Sequence, residues 1–229
     1  MLPIEPLKLF GKTHWDLIST CISCNVPNAK ALSATDKGMV DFLQRGKVDM
    51  IEIQKKHKVL ENDEKIRFPF TSKRKRMSTI IQNAHDKDSY ARRLVIKGAA
   101  EMITKCCDFY IDENGQQCNF TDTVRTQANE VIVNYAKKAL RTIAVAYRDL
   151  EPGLHGEKHD EPRDADVKDV ETQGLTLVAI LGIYDVIRTE VPGSVADCQK
   201  AGVIVRMVTG DNIVTAKAIA RECGIISES

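Results

Sequence analysis

Val205-Arg206-Met207-Val208-Thr209-Gly210-Asp211-Asn212 carries an apolar, strand-like run into a Thr-Gly-Asp turn that opens an alanine-rich helix. A strand, a glycine turn and a helix N-terminus in that order make an anion site at a sheet edge. Gly210 lets the backbone approach closely, while the Thr209 hydroxyl and the first helical N–H groups donate. Working outward, residues 175–181 read as a doubly buried strand, 191–201 as a helix ended by Gly202, 203–208 as a second strand, and 212–223 as a helix ended by Gly224. Strand, helix, strand, helix with such apolar strands predicts a parallel unit with right-handed crossovers. Two strands are too few for a domain, so this part reads as the opening of a larger doubly wound sheet.

Further upstream the pattern changes. Ala34, Met39, Val40 and Leu43 suit a short amphipathic helix, with Thr35 or Asp36 as its cap. Ile66, Phe68 and Phe70 alternate with Arg67 and Pro69, and 77–81 and 94–96 are further strands, the last two separated by the polar run His85-Asp86-Lys87-Asp88. That succession predicts a mostly antiparallel sheet. Residues 99–109 read as a helix, 121–140 as a longer one with Val124, Ala128, Val131 and Tyr135 on one face, and 142–147 as a strand. Residues 151–171, almost free of large apolar side chains, read as a surface loop. The expectation is an α/β protein in two parts: an α+β domain over residues 1–173, its mostly antiparallel sheet flanked by helices, and a partial parallel α/β unit over 174–229.

Composition narrows the function. With 229 residues, 43% of them apolar, the chain can bury a core. A formal charge of +1 argues against a nucleic-acid binder, so any basic cluster serves a small anion. Seven cysteines and a start without basic and apolar signal segments predict a reduced, cytosolic setting. The longest apolar run, 175–183, is too short to cross a bilayer. Cys21-Ile22-Ser23-Cys24 has metal-site spacing without a second such pair, and reads as small residues on a buried helix face. The five histidines form no His-Glu-x-x-His and read as solvated loop residues.

Two upstream segments add chemistry. In Phe70-Thr71-Ser72-Lys73-Arg74-Lys75-Arg76 an aromatic at a strand end precedes several cations, an arrangement that can stack on a base while the cations meet phosphates. Residue chemistry alone equally allows Phe70 in the core stripe with Ile66 and Phe68, and the cations in a solvated turn. Lys97 ends an apolar strand before the small Gly98 and Ala99, where it can floor a pocket or simply reach water. Arg141 follows a helix, where a cation also complements the dipole.

Together, Phe70 to Ser78, Lys97-Gly98-Ala99 and Val-Arg-Met-Val-Thr-Gly-Asp-Asn resemble the cytoplasmic ATP-binding portion of P-type cation-transporting ATPases. The resemblance covers residues 35–226 and favours the plasma-membrane calcium pumps, since Arg206 stands where other branches carry a hydrophobic residue. It implies that Phe70 stacks on adenine, that Lys75, Lys97 with Gly98, and Arg141 meet the nucleotide, and that Asp36 stands for a family glutamate beside the adenine amino group. Thr209, Gly210 and Asp211 match the motif that holds the transferred phosphoryl group with Mg²⁺. Asp185-Val186-Ile187-Arg188 matches a hinge in which Val186 replaces a proline. The family's phosphorylated aspartate, in Asp-Lys-Thr-Gly-Thr, occurs nowhere in the chain, so the chain alone is expected to be inactive. The implied partners are ATP and the remaining transmembrane and actuator parts of a pump, at the cytoplasmic face of a membrane. A non-catalytic nucleotide-binding or interaction protein of the same fold, another pump branch, and a dehalogenase-type phosphatase are the competing expectations.

Overall fold

Alternation along the strands sorts side chains onto two covered faces. In β3 (Arg92–Ala99), the third strand, Leu94 and Ile96 enter one apolar cluster and Val95 the opposite one. In β6 (Leu140–Leu150), Ala144 and Ala146 share the first cluster, and Ile143, Val145 and Tyr147 the second. This is the period-two pattern of a sheet buried on both sides. The computed structural model describes residues 11–26, 32–57, 67–82, 92–150, 167–184, 187–210 and 212–227. The other strands are β1 (Arg67–Thr71), β2 (Arg76–Gln82), β4 (Cys107–Ile111), β5 (Gln117–Asn119) and β7 (Leu175–Tyr184). All seven form one sheet in the order β1-β2-β3-β6-β7-β4-β5, antiparallel throughout except between β4 and β7.

Helices cover both faces. α1 (Lys12–Asn25), α2 (Ala34–Arg45) and α3 (Met50–Lys56) pack through Trp15, Ile18, Ile22, Met39, Leu43 and Ile53 on the Val95 face. α4 (Ala100–Ile103), α5 (Asp122–Lys137) and α6 (Val167–Thr172) pack on the Leu94 face through Ala100, Ile103, Ala128, Ile132 and Val170. α7 (Val191–Lys200) and α8 (Ile213–Glu222) follow, as the sequence predicts, and Asn212 caps α8 by accepting from the Val214 N–H at 2.8 Å.

The mostly antiparallel sheet flanked by helices matches expectation, but several elements do not. β7, expected to open a separate parallel unit, lies inside the main sheet, antiparallel to β6 and parallel to β4. An apolar run reveals that both faces are covered, not which strands flank it. Residues 203–208 form no strand: Val203, Ile204 and Val208 are 54%, 77% and 96% exposed, and no strand among the described residues lies beside them. The helix expected over 99–109 stops after α4, becomes a 3-10 turn at Thr104–Cys106, and gives way to β4. On α5 the buried positions are Ala128, Ile132 and Ala136, with Val131 turned outward. Of the expected surface loop, 151–166 lie outside the described residues, while 167–172 are helical and contain a fully buried Glu171. Ile66 and residues 85–88 also lie outside the described residues.

Two histidines are buried rather than solvated. His14 Nε2 lies 2.7 Å from the Val178 carbonyl and His57 Nδ1 2.8 Å from that of Gln82, tying α1 and the end of α3 to the sheet. Cys21 and Cys24 occupy the buried side of α1, where burial pushes both thiols up to about 12.

Candidate functional site

Alternation places Lys97 on the same face as Val95, the face that α2 covers, and Lys97 there meets Asp36 from the first turn of α2. Its ammonium donates to Asp36 Oδ1, and both side chains are buried. The cap of α2 is Ser33, not Thr35 or Asp36. Ser33 Oγ accepts from the Asp36 N–H at 3.1 Å and donates to Asp36 Oδ2 at 2.7 Å, a reciprocal cap that aims the carboxylate. Burial pulls the Lys97 ammonium below the ordinary lysine value of 10.5, with Asp36 opposing the shift and Arg67 adding to it. Arg141, an even number of residues before Ile143 and Val145, shares their face, and its Nη1 donates to Thr35 Oγ1 at 3.2 Å.

Phe70 leaves the stripe that Ile66 and Phe68 suggested. The register of β1 against β2 shifts between Phe68 and Thr71, next to Pro69 on this edge strand. Phe68 packs against the core, whereas Phe70 is 59% exposed. After it the chain closes a tight turn, with the Lys75 N–H donating to the Thr71 carbonyl at 2.8 Å and Lys75 itself at a φ of 51°.

That turn lies directly on Gly98. The Lys75 carbonyl accepts from the Ala99 N–H at 2.9 Å, and a Cβ on Gly98 would fall 2.6 Å from the same oxygen and 2.8 Å from Arg76 Cα. Both obstacles are backbone and cannot swing aside. Gly98→Ala is therefore expected to destabilise the chain by about 1–3 kcal/mol, the usual cost of overpacking. Urea titration checks this, and an unchanged midpoint would mean that the turn rests less tightly on β3.

Asp36, Phe70, Lys75, Lys97, Gly98 and Arg141, all singled out from sequence, line a single pocket of about 530 Å³. They arrive from α2, β1, the β1–β2 turn, β3 and β6. The volume lies in the range of small-molecule sites. One apolar ring is open for stacking, two cations reach the pocket from its walls, and a buried carboxylate–ammonium pair supplies an acceptor and donors at its floor.

Of the Thr-Gly-Asp turn, Gly210 joins this pocket, its carbonyl 3.3 Å from Lys75 Nζ, and Thr209 does not line it. A Cβ at Gly210 would meet no atom of the described residues within 4 Å. Asp211, Asp185 and Val186 lie outside the described residues. Ser33 and Glu171 escaped the sequence reading. Ser33-Ala34-Thr35-Asp36 carries a legible capping signal, but nothing around Glu171 announces its burial.

A family model of the P-type ATPase cytoplasmic domain N matches residues 19–190, so the chain belongs to the P-type ATPases. It is 39% identical over 196 residues to the calcium-transporting ATPase PAT1 of Dictyostelium discoideum, covering 86% of this chain and 16% of that protein. It is 37% identical over 196 residues to the plasma membrane-type calcium-transporting ATPase 4 of Arabidopsis thaliana, covering 86% and 17%. To the plasma membrane calcium-transporting ATPase mca-1 of Caenorhabditis elegans it is 37% identical over 201 residues, covering 84% and 16%. The chain thus spans about one sixth of the length of these relatives. Both the family match and the sheet run through the boundary expected at 173–174. No helix among the described residues is long and apolar enough to cross a membrane.

Proposed function

We propose that this chain is the ATP-binding portion of a pump that couples ATP hydrolysis, through an aspartyl-phosphate, to calcium transport across a membrane. The observation that carries the reading is the convergence of Phe70, Lys75, Lys97, Gly98, Arg141 and Asp36 on one pocket from separate elements. Phe70 takes the adenine face, Asp36 with Lys97 meets the base edge, and Lys75 and Arg141 meet phosphate. The relatives' names support calcium as the transported ion. Thr209, Gly210 and Asp211 would hold Mg²⁺, which would neutralise phosphate charge there, and this chain's own part is to bind and orient the nucleotide by positioning and charge neutralisation. The nucleotide-binding part extends through Tyr184, and the region from 187 onward belongs to the phosphorylation domain. The exposed apolar run Val203, Ile204, Val208 fits a strand that the rest of that domain would flank. Lacking the phosphorylated aspartate, the chain alone forms no phosphoenzyme.

The test is ATP binding by the 229-residue chain. Binding is expected on the order of millimolar, about −4 kcal/mol, because one stack and a few cations must offset the ordering of the ligand. Phe70→Ala is expected to remove about 1–3 kcal/mol of that, with melting unchanged because the ring is 59% exposed. Amide NMR titration reads both. No shifts at residues 70, 97 and 141 at several times the expected dissociation constant would remove the reading.

A further inference from the structure

The four consecutive cations Lys73-Arg74-Lys75-Arg76 divide their roles, and only Lys75 lines the pocket. Arg74 and Arg76 both reach Glu171. Arg74 Nη1 donates to Glu171 Oε2 at 2.8 Å, Arg76 Nε donates to the same oxygen at 3.1 Å, and Ser78 Oγ donates to Oε1. Glu171 lies 93 to 97 residues further along the chain, on α6, and is fully buried. A carboxylate survives such burial only when its charge and lone pairs are met, and these three donors meet them.

The network continues into the turn. Arg74 Nη2 donates to the Pro69 carbonyl, and the Arg74 N–H donates to Thr71 Oγ1 at 3.2 Å, so one arginine braces the residues on both sides of Phe70. Arg76 opens β2 where the turn ends against Gly98. Phe70 itself is mostly exposed and has little packing of its own to fix its direction. Its place is set by the backbone around it, and Arg74 links that backbone to Glu171.

We propose that Glu171 is a positioning residue for nucleotide binding, holding the Phe70–Lys75 turn in its receiving shape through Arg74 and Arg76. The proposal rests on reading the pocket as an ATP site. Preorganisation of this kind spares the ligand the cost of ordering the turn. Charge and positioning make opposite demands here. Removing the Glu171 charge frees two guanidinium groups near the pocket, which by attraction alone would strengthen phosphate binding, whereas loosening the turn weakens binding of the base.

The test titrates ATP and, separately, inorganic tripolyphosphate into the full chain, for wild type, Glu171→Gln and Arg74→Gln, followed by amide NMR. Each variant is expected to bind ATP roughly fivefold to tenfold more weakly and to show broadened amides over residues 70–75, while Glu171→Gln binds tripolyphosphate no more weakly than wild type. Placed on a Phe70→Ala background, neither substitution should weaken ATP further, because the residues act through one another. Arg74, whose side chain is 23% exposed, carries the test if Glu171→Gln does not fold. Unchanged or tighter ATP binding by the folded variants, or a full further loss in Phe70→Ala, overturns the positioning role and leaves the ATP reading standing. Absence of ATP binding by the wild type overturns both.

Discussion

Asp36→Ala is expected to lower the stability of this chain by about 3–5 kcal/mol, the cost of stranding one member of a buried ion pair. The Lys97 ammonium, 5% exposed at the floor of the pocket, would lose its charge partner, and Ser33 would lose the acceptor of its hydroxyl. The lysine has one escape, which is to release its proton. Burial already holds its folded pKa below 10.5, so over the window from that lowered value up to 10.5 the unfolded chain binds more protons and stability rises with pH. Without Asp36 the folded value falls further and the window widens downward. The deficit of Asp36→Ala should therefore narrow between about pH 7 and about pH 10. Urea midpoints at both pH values decide the matter. A deficit that does not change with pH would mean that lost packing, rather than the unpaired ammonium, sets the cost.

This pair also shows what the sequence could and could not disclose. Lys97 is legible as a candidate from its place at a strand end, and Asp36 from its resemblance to a family glutamate. Their contact is not, because it depends on the parity of Lys97 along β3 and on which face α2 covers. In the sequence Phe70 fits core and pocket equally, for the same kind of reason. Only the register shift after Phe68 separates the two, and register is a property of the strand pair. The apolar run of β7 shows burial on both faces but not its neighbours, since its apolar character is the same beside β6 as in a parallel unit. The run 203–208 shows the converse. Strand propensity there was strong, and without a flanking strand the segment stays irregular and exposed. Glu171 was hidden by its setting in a polar stretch, where composition suggests solvent and only the three donors of β1–β2 explain burial.

In the sequence the helix at the start of the described chain shows only as a buried face at residues 21–24, and it carries the other large effect. Ser19, Thr20, Ser23 and two cysteines dilute the apolar face of α1, so its period is weak although Ile18 and Ile22 are wholly buried. Trp15 is 4% exposed, sits edge-on to Phe42 of α2 with ring centroids 5.3 Å apart at 73°, and fills the space left by Gly46, where a Cβ would lie 2.3 Å from its Cζ2. Trp15→Ala is expected to cost about 3–5 kcal/mol, as for other large aromatic truncations in a core that cannot collapse around the gap. Because α2 carries Asp36 and packs on this ring through Phe42, the loss should appear in one cooperative transition of the whole unit, not as separate melting of α1. The family match begins at residue 19, inside α1, so the position tested lies just before it. A cost under about 1 kcal/mol, well below the range for core aromatics, or an early melting step confined to α1, would make that helix an appendage; a single transition at much lower urea makes Trp15 part of the support that holds Asp36 over Lys97.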